Sequence, residues 1–216
     1  MATWPQVSNA FTSKDALALG LAWRNSQPFT LRNDCDVVKI DFEGHTELHG
    51  SLSPSLLGLP ALKHFILSGT SVSGDLAVLA KSAELVELHL LDLDVTGDLK
   101  ELEGATKLKS LDLAGTKTVG NLKALENAVK LDHLDLSQTQ VAGDLEDLPN
   151  STGLRYLYLA DTKVEGNIRA LQKLLKLEHL NLEDTKICGD MSSLREAKAL
   201  EDVDISGTRI TGTWCF

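Results

Sequence analysis

Histidine, aspartate and tyrosine side chains recur at a fixed spacing in the second half of the chain. His133 and Asp135 stand two residues apart in "LDHLDL", and the only two tyrosines, Tyr156 and Tyr158, hold the same positions 23 residues later in "LRYLYL". The corresponding positions of the next segment, "LEHLNL", are His179 and Asn181. Residues of these types can ligate a metal, assist a nucleophile or form a contact surface. Which chemistry applies depends on how the chain positions them.

A 23-residue repeat sets these positions. Segments of the form LxxLxL begin at Leu62, Leu85, Leu108, Leu131, Leu154, Leu177 and Leu200, and a looser copy begins at Val37. A fixed period of this length is typical of a solenoid, in which each unit packs only against its neighbours. We therefore predict a single solenoid domain of eight repeats over residues 37–216.

Each unit predicts a short strand, a turn and a helical return. The alternation of apolar and polar residues in LxxLxL indicates a strand with one buried face. A Thr follows in most units, and its hydroxyl is expected to bond the turning backbone and to stack with its copies. Next come a Gly suited to positive φ and an Asp or Asn suited to N-capping a short helical or 3₁₀ segment.

This pattern resembles the leucine-rich repeat family, closest to its plant-type class, whose units read roughly LxxLxLxxNxLxGxIP. The resemblance covers residues 37–216 and implies a curved α/β solenoid. A parallel sheet would line its concave face, and short helical or 3₁₀ returns its convex face. It also implies protein–protein contacts without catalysis. Thr stands here in place of the usual Asn, and Asp or Asn with Leu in place of Ile-Pro, which alters turn chemistry rather than architecture.

Residues 1–36 resemble the N-terminal cap of the same class. Thr12 and Asp15 suggest a capping pair, and Leu17, Leu21 and Trp23 follow on a helix, so we expect a helical cap. Secreted caps of this class usually pair two cysteines, whereas this segment contains one, Cys35. At the other end, Trp214 stands where other units bury Leu, Ile or Met, and it is expected to be partly shielded by Phe216 or by a partner.

The strand frame predicts an acidic concave face. Its three outward columns hold 24 side chains, of which eight are acidic and one is basic. One predicted contact patch contains Tyr156, Tyr158, His133, Asp135, His179 and Asn181, with Asp112 and Asp204 as further acids. A second contains His64, Ile66, His89 and Leu91, on the expectation that its two apolar side chains are exposed. The alternatives are that aromatic residues simply suit strands and that single apolar residues are normal at surfaces.

Metal binding is not expected on this face. Zinc needs three or four ligands about 2 Å from one point. His133 and His179 lie two strands apart, roughly 10 Å, with Tyr156 between them. Asp112 and Asp135 fall on adjacent strands, where they suit a solvated acidic face better than a cation site.

Catalysis and cofactor binding are not expected either. Cys188 and Cys215 have no histidine placed beside them in the repeat frame. Ser137 follows His133 and Asp135 on one strand, but no oxyanion hole accompanies them. The glycines recur once per unit and form no phosphate-binding loop.

The charge balance points to the class of partner. Twenty-one Lys and Arg against 31 Asp and Glu give a net charge of −10, which argues against nucleic acid and favours a basic protein or peptide. No apolar run is long enough to span a bilayer. Sparse cysteines and the absence of a signal-like start favour a cytoplasmic location, with a secreted mature form as the alternative. The alternative functions are a structural subunit docked through its C-terminal end and a carbohydrate or small-ligand receptor.

Overall fold

The computed structural model describes residues 21–23, by their backbone only, together with residues 38–54 and 59–212. Eight three-residue strands form one parallel sheet, each pairing with the strand one repeat away. They are β2 (Lys39–Asp41), β4 (His64–Ile66), β6 (Glu87–His89), β8 (Ser110–Asp112), β10 (His133–Asp135), β12 (Tyr156–Tyr158), β14 (His179–Asn181) and β16 (Asp202–Asp204). This sheet lines the concave face of the solenoid and confirms the predicted eight parallel strands.

A second sheet of nine strands was not predicted. It contains β1 (Leu21–Trp23), β3 (Leu48–Ser51), β5 (Ser71–Asp75), β7 (Asp94–Asp98), β9 (Lys117–Asn121), β11 (Gln140–Asp144), β13 (Lys163–Asn167), β15 (Lys186–Asp190) and β17 (Arg209–Thr211). In β13 only Val164 is fully buried, between exposed Lys163 and Glu165. One buried residue gives too short an alternation to indicate a strand. The strand forms because stacked copies supply each other's backbone partners.

Short 3₁₀ helices return the chain to the next unit, as predicted. They span Leu76–Leu79, Leu99–Leu102, Leu122–Leu125, Leu145–Asp147, Ile168–Lys173 and Met191–Leu194. An Asp or Asn precedes each and accepts a hydrogen bond from the N–H two residues on, as Asp75 does from Ala77 at 2.8 Å. This capping satisfies a helical N–H that would otherwise lack a partner.

The turn threonines bond within their own units. Thr116, for example, is 4% exposed and donates to the Leu113 carbonyl at 2.7 Å, and Thr139 donates likewise to Leu136 at 2.6 Å. The prediction that these hydroxyls bond the turning backbone is confirmed. Because these two hydroxyls donate their only proton within their own units, they do not donate to the threonines stacked beside them.

One glycine per unit allows neighbouring units to approach closely. Gly166 has φ +110°, and a Cβ there would lie 2.5 Å from the Asp144 carboxylate oxygen and 2.9 Å from the Leu145 nitrogen. Any side chain would push against the cap of the preceding unit. The glycine is therefore required by unit stacking as well as by backbone conformation.

The N-terminal segment departs from the predicted cap at two residues. Leu21 and Trp23, expected on a helix, lie in β1, which pairs antiparallel with Leu48–Gly50 of β3. The edge of the second sheet offers unpaired backbone groups there, and a strand satisfies them where a helix would not. Thr12, Asp15, Leu17, Cys35, Trp214 and Phe216 lie outside the described residues. The remainder of the cap and the C-terminal packing stay predictions.

Candidate functional site

Alternation along the concave strands sets which side chains are accessible. In β12, Leu157 is fully buried, whereas Tyr156 and Tyr158 on either side are half-buried and outward. The parallel register repeats this arrangement on both neighbouring strands. It forms two rows, His133–Tyr156–His179 and Asp135–Tyr158–Asn181. The structure thus brings together all six residues of the first predicted patch.

Aromatic rings pack against one another across these rows. The Tyr156 ring stacks on His179 with centroids 5.2 Å apart and planes at 21°. The His133 ring lies 5.7 Å from that of Tyr156 and 5.8 Å from that of Tyr158. These contacts make the patch continuous and limit the side-chain freedom that a partner would have to restrict on binding.

Arg155 and Glu178 hold Tyr156 in place, a contact that was not predicted from the sequence. Arg155 donates from Nε and Nη2 to the two Glu178 carboxylate oxygens, at 2.7 and 2.8 Å. Its Nη2 also donates to the Tyr156 hydroxyl at 3.0 Å, and its guanidinium carbon lies 5.0 Å from the ring centroid. We call these three residues the flank cluster. Arg155 and Glu178 are one repeat apart, and that spacing was the available signal.

Protonation in the flank cluster reflects the same bonds. The pKa of Tyr156 is raised, chiefly by a hydrogen bond to the Glu178 carboxylate. The pKa of Glu178 is lowered, first by its hydrogen bond to Arg155. The charged and polar groups of this cluster therefore already have partners within the protein.

Asp112, Asp135 and Tyr158 form a contrasting group, which we call the acidic centre. Asp112 and Asp135 stand opposite each other on paired strands, and Tyr158 follows Asp135 on the next strand. Burial raises the pKa of Asp112, and the charge of Asp135 raises it further. Burial also raises the pKa of Tyr158, as do the charges of Asp135 and Asp202. Negative charge is thus concentrated where water is partly excluded.

One oxygen of each acidic-centre carboxylate has a structural role. Asp112 Oδ1 accepts from the Ala114 N–H at 3.1 Å, and Asp135 Oδ1 accepts from the Ser137 N–H at 2.9 Å. Asn181 makes the equivalent bond through its amide oxygen. The turn therefore does not require a charge. Within the described residues, no hydrogen bond or ion pair engages the second oxygen of either aspartate.

The second predicted patch is partly wrong. Ile66, expected to be exposed, is only 7% exposed. It lies in register between Asp41 and His89, whose outward side chains flank it on the same face. Leu91 is exposed as predicted, at 38%. The exposed apolar surface of this patch is therefore limited to Leu91, and a binding role for the patch stays a prediction.

The two histidines of that patch have internal partners. His64 Nδ1 lies 2.8 Å from Glu87 Oε2, and His89 Nε2 lies 2.8 Å from Ser110 Oγ. Asp204, the last acid predicted on the face, accepts from the Ser206 N–H and hydroxyl through Oδ1. Polar groups at both ends of the sheet are more fully paired than those of the acidic centre.

Three residues of the third predicted column are closed to solvent. Ser68, Ala114 and Ala160 are 8%, 7% and 7% exposed. They lie one residue beyond the buried end of each strand, where the chain begins to turn. The accessible concave surface therefore includes the first two columns and the exposed members of the third, Glu43, Leu91 and Ser206.

The described residues contain no group of three or more His, Cys, Asp or Glu side chains placed to hold a metal ion. Asp135 bonds the Ser137 backbone, and the exposed Cys188 thiol donates to the Gly166 carbonyl at 3.4 Å. Cys215 lies outside the described residues. No helix in the described part of the chain has the length and apolar character needed to cross a membrane.

Comparison with known proteins identifies similar folds rather than close relatives. No protein-family model matches the sequence, and no curated protein matches it significantly. Among solved structures, one similar fold is the leucine-rich repeat ectodomain of the Arabidopsis thaliana receptor kinase GASSHO1/SCHENGEN3, in complex with CASPARIAN STRIP INTEGRITY FACTOR 2. The TM-score is 0.69 at 29% identity, over 76% of this chain and 20% of the receptor chain.

Two further structures have the same fold at lower identity. A plant peptide hormone receptor, RGFR1 in complex with RGF2, has a TM-score of 0.67 at 20% identity over 80% of this chain and 28% of its own. Internalin C2 of Listeria monocytogenes has a TM-score of 0.65 at 23% identity over 81% of this chain and 74% of its own. The matched part of this chain thus corresponds to about a quarter of the length of the plant receptor chains it resembles.

The repeat length, the inward leucines and the stacked parallel strands agree with these similarities. Units of 23 residues each contribute one strand to the concave sheet and bury its middle residue against the next unit. Solved structures of that architecture, from plants and from a bacterium, superpose on most of the chain. The protein is a curved leucine-rich repeat solenoid.

Proposed function

We propose that the protein is a non-catalytic binding module whose concave sheet binds a protein or peptide segment with a basic surface. The observation that carries this proposal is the acidic centre. Its two carboxylates are paired across adjacent strands, and each keeps one oxygen without a bonding partner in the described part of the chain. The complexes of similar plant structures with their ligands support the use of this fold for binding.

A cation would relieve the electrostatic cost of the acidic centre. Burial and the charge of Asp135 both disfavour the ionised form of Asp112, as its raised pKa indicates. A lysine or arginine side chain between the two carboxylates would replace that repulsion with attraction in a partly desolvated site. The face of the Tyr158 ring, one strand away, would add a cation–π contact.

Tyr158 is the better candidate for the anchor of this interface. The Tyr156 hydroxyl and ring already contact Arg155, so binding a second cation there would require competition with the Arg155–Glu178 pair. Tyr158 contacts His133 and lies beside the carboxylates, and within the described residues no Lys or Arg contacts its ring. An aromatic side chain that is partly shielded from water and lies beside charges without bonding partners is typical of an interaction hot spot.

A capture experiment with matched baits tests the proposal. The wild-type protein and the Asp112→Asn, Asp135→Asn double variant would be immobilised and exposed to native extract, and retained proteins identified by mass spectrometry. Asparagine preserves the turn bond, as Asn181 shows, and removes only the charge. We expect basic proteins retained by wild type and lost from the variant.

The control bait is the Asp144→Asn, Asp190→Asn double variant. It changes the net charge by the same amount, and both residues cap 3₁₀ returns through the same kind of bond. Asn121 and Asn167 already fill this role in other units. Equal loss of basic proteins from both variant baits would show that only overall charge matters, and the concave-face proposal would fail. Retention of free carbohydrate instead of protein would favour the receptor alternative.

A further inference from the structure

One sequence motif lies outside the proposed binding face. Asn150-Ser151-Thr152 is the only Asn-x-Ser/Thr triplet in the 216 residues. This triplet, with any residue but proline in the middle, is the acceptor sequence for N-linked oligosaccharide. We propose that Asn150 is a glycosylation site. This proposal requires the protein to be secreted rather than cytoplasmic.

The unit that carries the triplet departs from its neighbours at this point. Its 3₁₀ return, Leu145–Asp147, has three residues, and the other described returns have four to six. Leu148 then adopts an extended conformation, ψ 140°, because Pro149 follows it. The chain turns tightly after the proline, with the Thr152 N–H donating to the Asn150 carbonyl at 3.0 Å.

This turn directs the acceptor and its hydroxyl partner outward. Asn150 and Thr152 are exposed, whereas Ser151 between them is 1% exposed. The Ser151 hydroxyl donates to the Ala128 carbonyl of the preceding unit at 3.0 Å, which fixes the middle residue inside. Both side chains that the acceptor motif requires are therefore accessible from solvent.

Space for a glycan lies beside the turn. Leu148, Pro149, Asn150 and Thr152 line one side of an open cleft, and residues 169–174 of the next return line the other. The shortened return leaves this cleft at the side of the solenoid that carries the 3₁₀ segments. A glycan there would leave Tyr158 and the acidic centre accessible.

The transfer step needs only a glycosyl donor. The donor class is an oligosaccharide linked to a lipid through pyrophosphate. The Asn150 side-chain nitrogen forms a bond to the sugar C1, the bond from C1 to the pyrophosphate oxygen breaks, and the lipid pyrophosphate leaves with that electron pair. The nitrogen loses one proton, and no group is oxidised or reduced.

The preceding unit supplies an internal control. Asn127 occupies the position equivalent to Asn150, is also exposed, and is followed by buried Ala128. The third residue there is Val129, 52% exposed, in place of the threonine. Asn127 thus shares the register position and the exposure of the acceptor without the hydroxyl, and Val129→Thr would complete the motif.

The test is expression of the full chain behind a cleavable secretion signal in eukaryotic cells. The membrane-enclosed and the secreted protein are both analysed by intact mass before and after peptide-N-glycosidase, which leaves aspartate at a glycosylated asparagine. We expect one glycan on wild type, none on Asn150→Gln or Thr152→Val, and two on Val129→Thr. Thermal denaturation of the deglycosylated variants checks that each has folded.

Two results would overturn the proposal. Wild type without a glycan, while Val129→Thr carries one at Asn127, would show that the turn after Pro149 blocks transfer. Unmodified protein in every variant would show that this corner of the repeat is not an acceptor in either unit.

Discussion

Tyr156 and Tyr158 leave the same three-residue strand on the same face, yet their surroundings differ in charge balance. Tyr156 contacts an arginine that is itself paired with Glu178, so the flank cluster holds both signs of charge. Burial raises the pKa of Tyr158, the negative charges of Asp135 and Asp202 raise it further, and its ring contacts His133. The charges of the flank cluster are balanced within the protein, whereas those around Tyr158 are not.

This difference indicates at which of the two groups a bound partner would gain the most binding free energy. Groups already bonded to one another gain little from a ligand, because a new bond replaces an existing one. Carboxylates held close together and partly out of water gain more, because a cation relieves their repulsion. For two tyrosines that look alike in the sequence, we therefore propose a structural role for Tyr156 and a binding role for Tyr158.

The largest expected effect comes from removing the residue between the two tyrosines. Leu157 is fully buried, and it lies in register between Leu134 and Leu180. Leu157→Ala should lower the free energy of unfolding by about 2–5 kcal/mol through lost burial and the cavity left behind. Both the flank cluster and the acidic centre depend on this strand, so both should be weakened. Urea denaturation followed by circular dichroism measures the loss, and a change below about 1 kcal/mol would contradict the packing described.

The acidic centre should control the rate of association. Asp112→Asn with Asp135→Asn should slow binding of the captured basic partner on the order of tenfold at low ionic strength, because the local negative field is reduced. The salt dependence of the association rate should also become shallower. Stopped-flow or surface plasmon resonance at two salt concentrations measures both. An unchanged association rate, with Asp144→Asn and Asp190→Asn as the charge-matched control, would argue against steering by this group.

The flank cluster should affect folding but not binding. Glu178→Gln removes the charge that pairs with Arg155, so the urea midpoint should fall by less than in Leu157→Ala. The pKa of Glu178 is lowered in the folded protein, so its stabilising contribution exists above pH 4.5 and is lost as the pH falls through the lower folded value. The difference in midpoint between wild type and Glu178→Gln should therefore shrink at acidic pH. An altered affinity for the partner would instead place the flank cluster in the interface.

The smallest expected effect concerns His133. Burial lowers its pKa below 6.5, against the opposing charges of Asp112, Asp135 and Asp132, while His89 lowers it further. As the pH falls below 6.5, the unfolded chain takes up the proton first, so wild type should lose stability. His133→Gln should lose less over the same window. Asp112 acts with the opposite sign at lower pH, because its pKa is raised and the folded state is protonated first. Urea midpoints that fall in parallel for both proteins would contradict a half-buried, neutral His133.

Features that repeat in every unit could be predicted from the sequence. The inward leucines, the turn glycines and the capping Asp or Asn residues each recur at 23-residue steps, and each has a local physical reason. Because register follows from the repeat, the outward rows around Tyr156 and Tyr158 were also predictable.

Features that depend on specific neighbours were not predicted. The second sheet forms only because stacked units supply backbone partners to segments with little alternation of their own. The Arg155–Glu178 pair requires two particular side chains to meet across one repeat, and the burial of Ile66 depends on the residues at either side of it. The function of the face is set by its side chains rather than by the repeat, so the fold alone did not supply it.

The most direct test of this account is a comparison of the two single tyrosine variants. Surface plasmon resonance with the partner retained by wild type would give dissociation constants for Tyr156→Ala and Tyr158→Ala at one salt concentration. Tyr158→Ala should weaken binding by at least about 2 kcal/mol, roughly thirtyfold, whereas Tyr156→Ala should change the dissociation constant by less than about threefold. Equal losses for the two variants, or a larger loss for Tyr156→Ala, would contradict the assignment of the binding role to Tyr158.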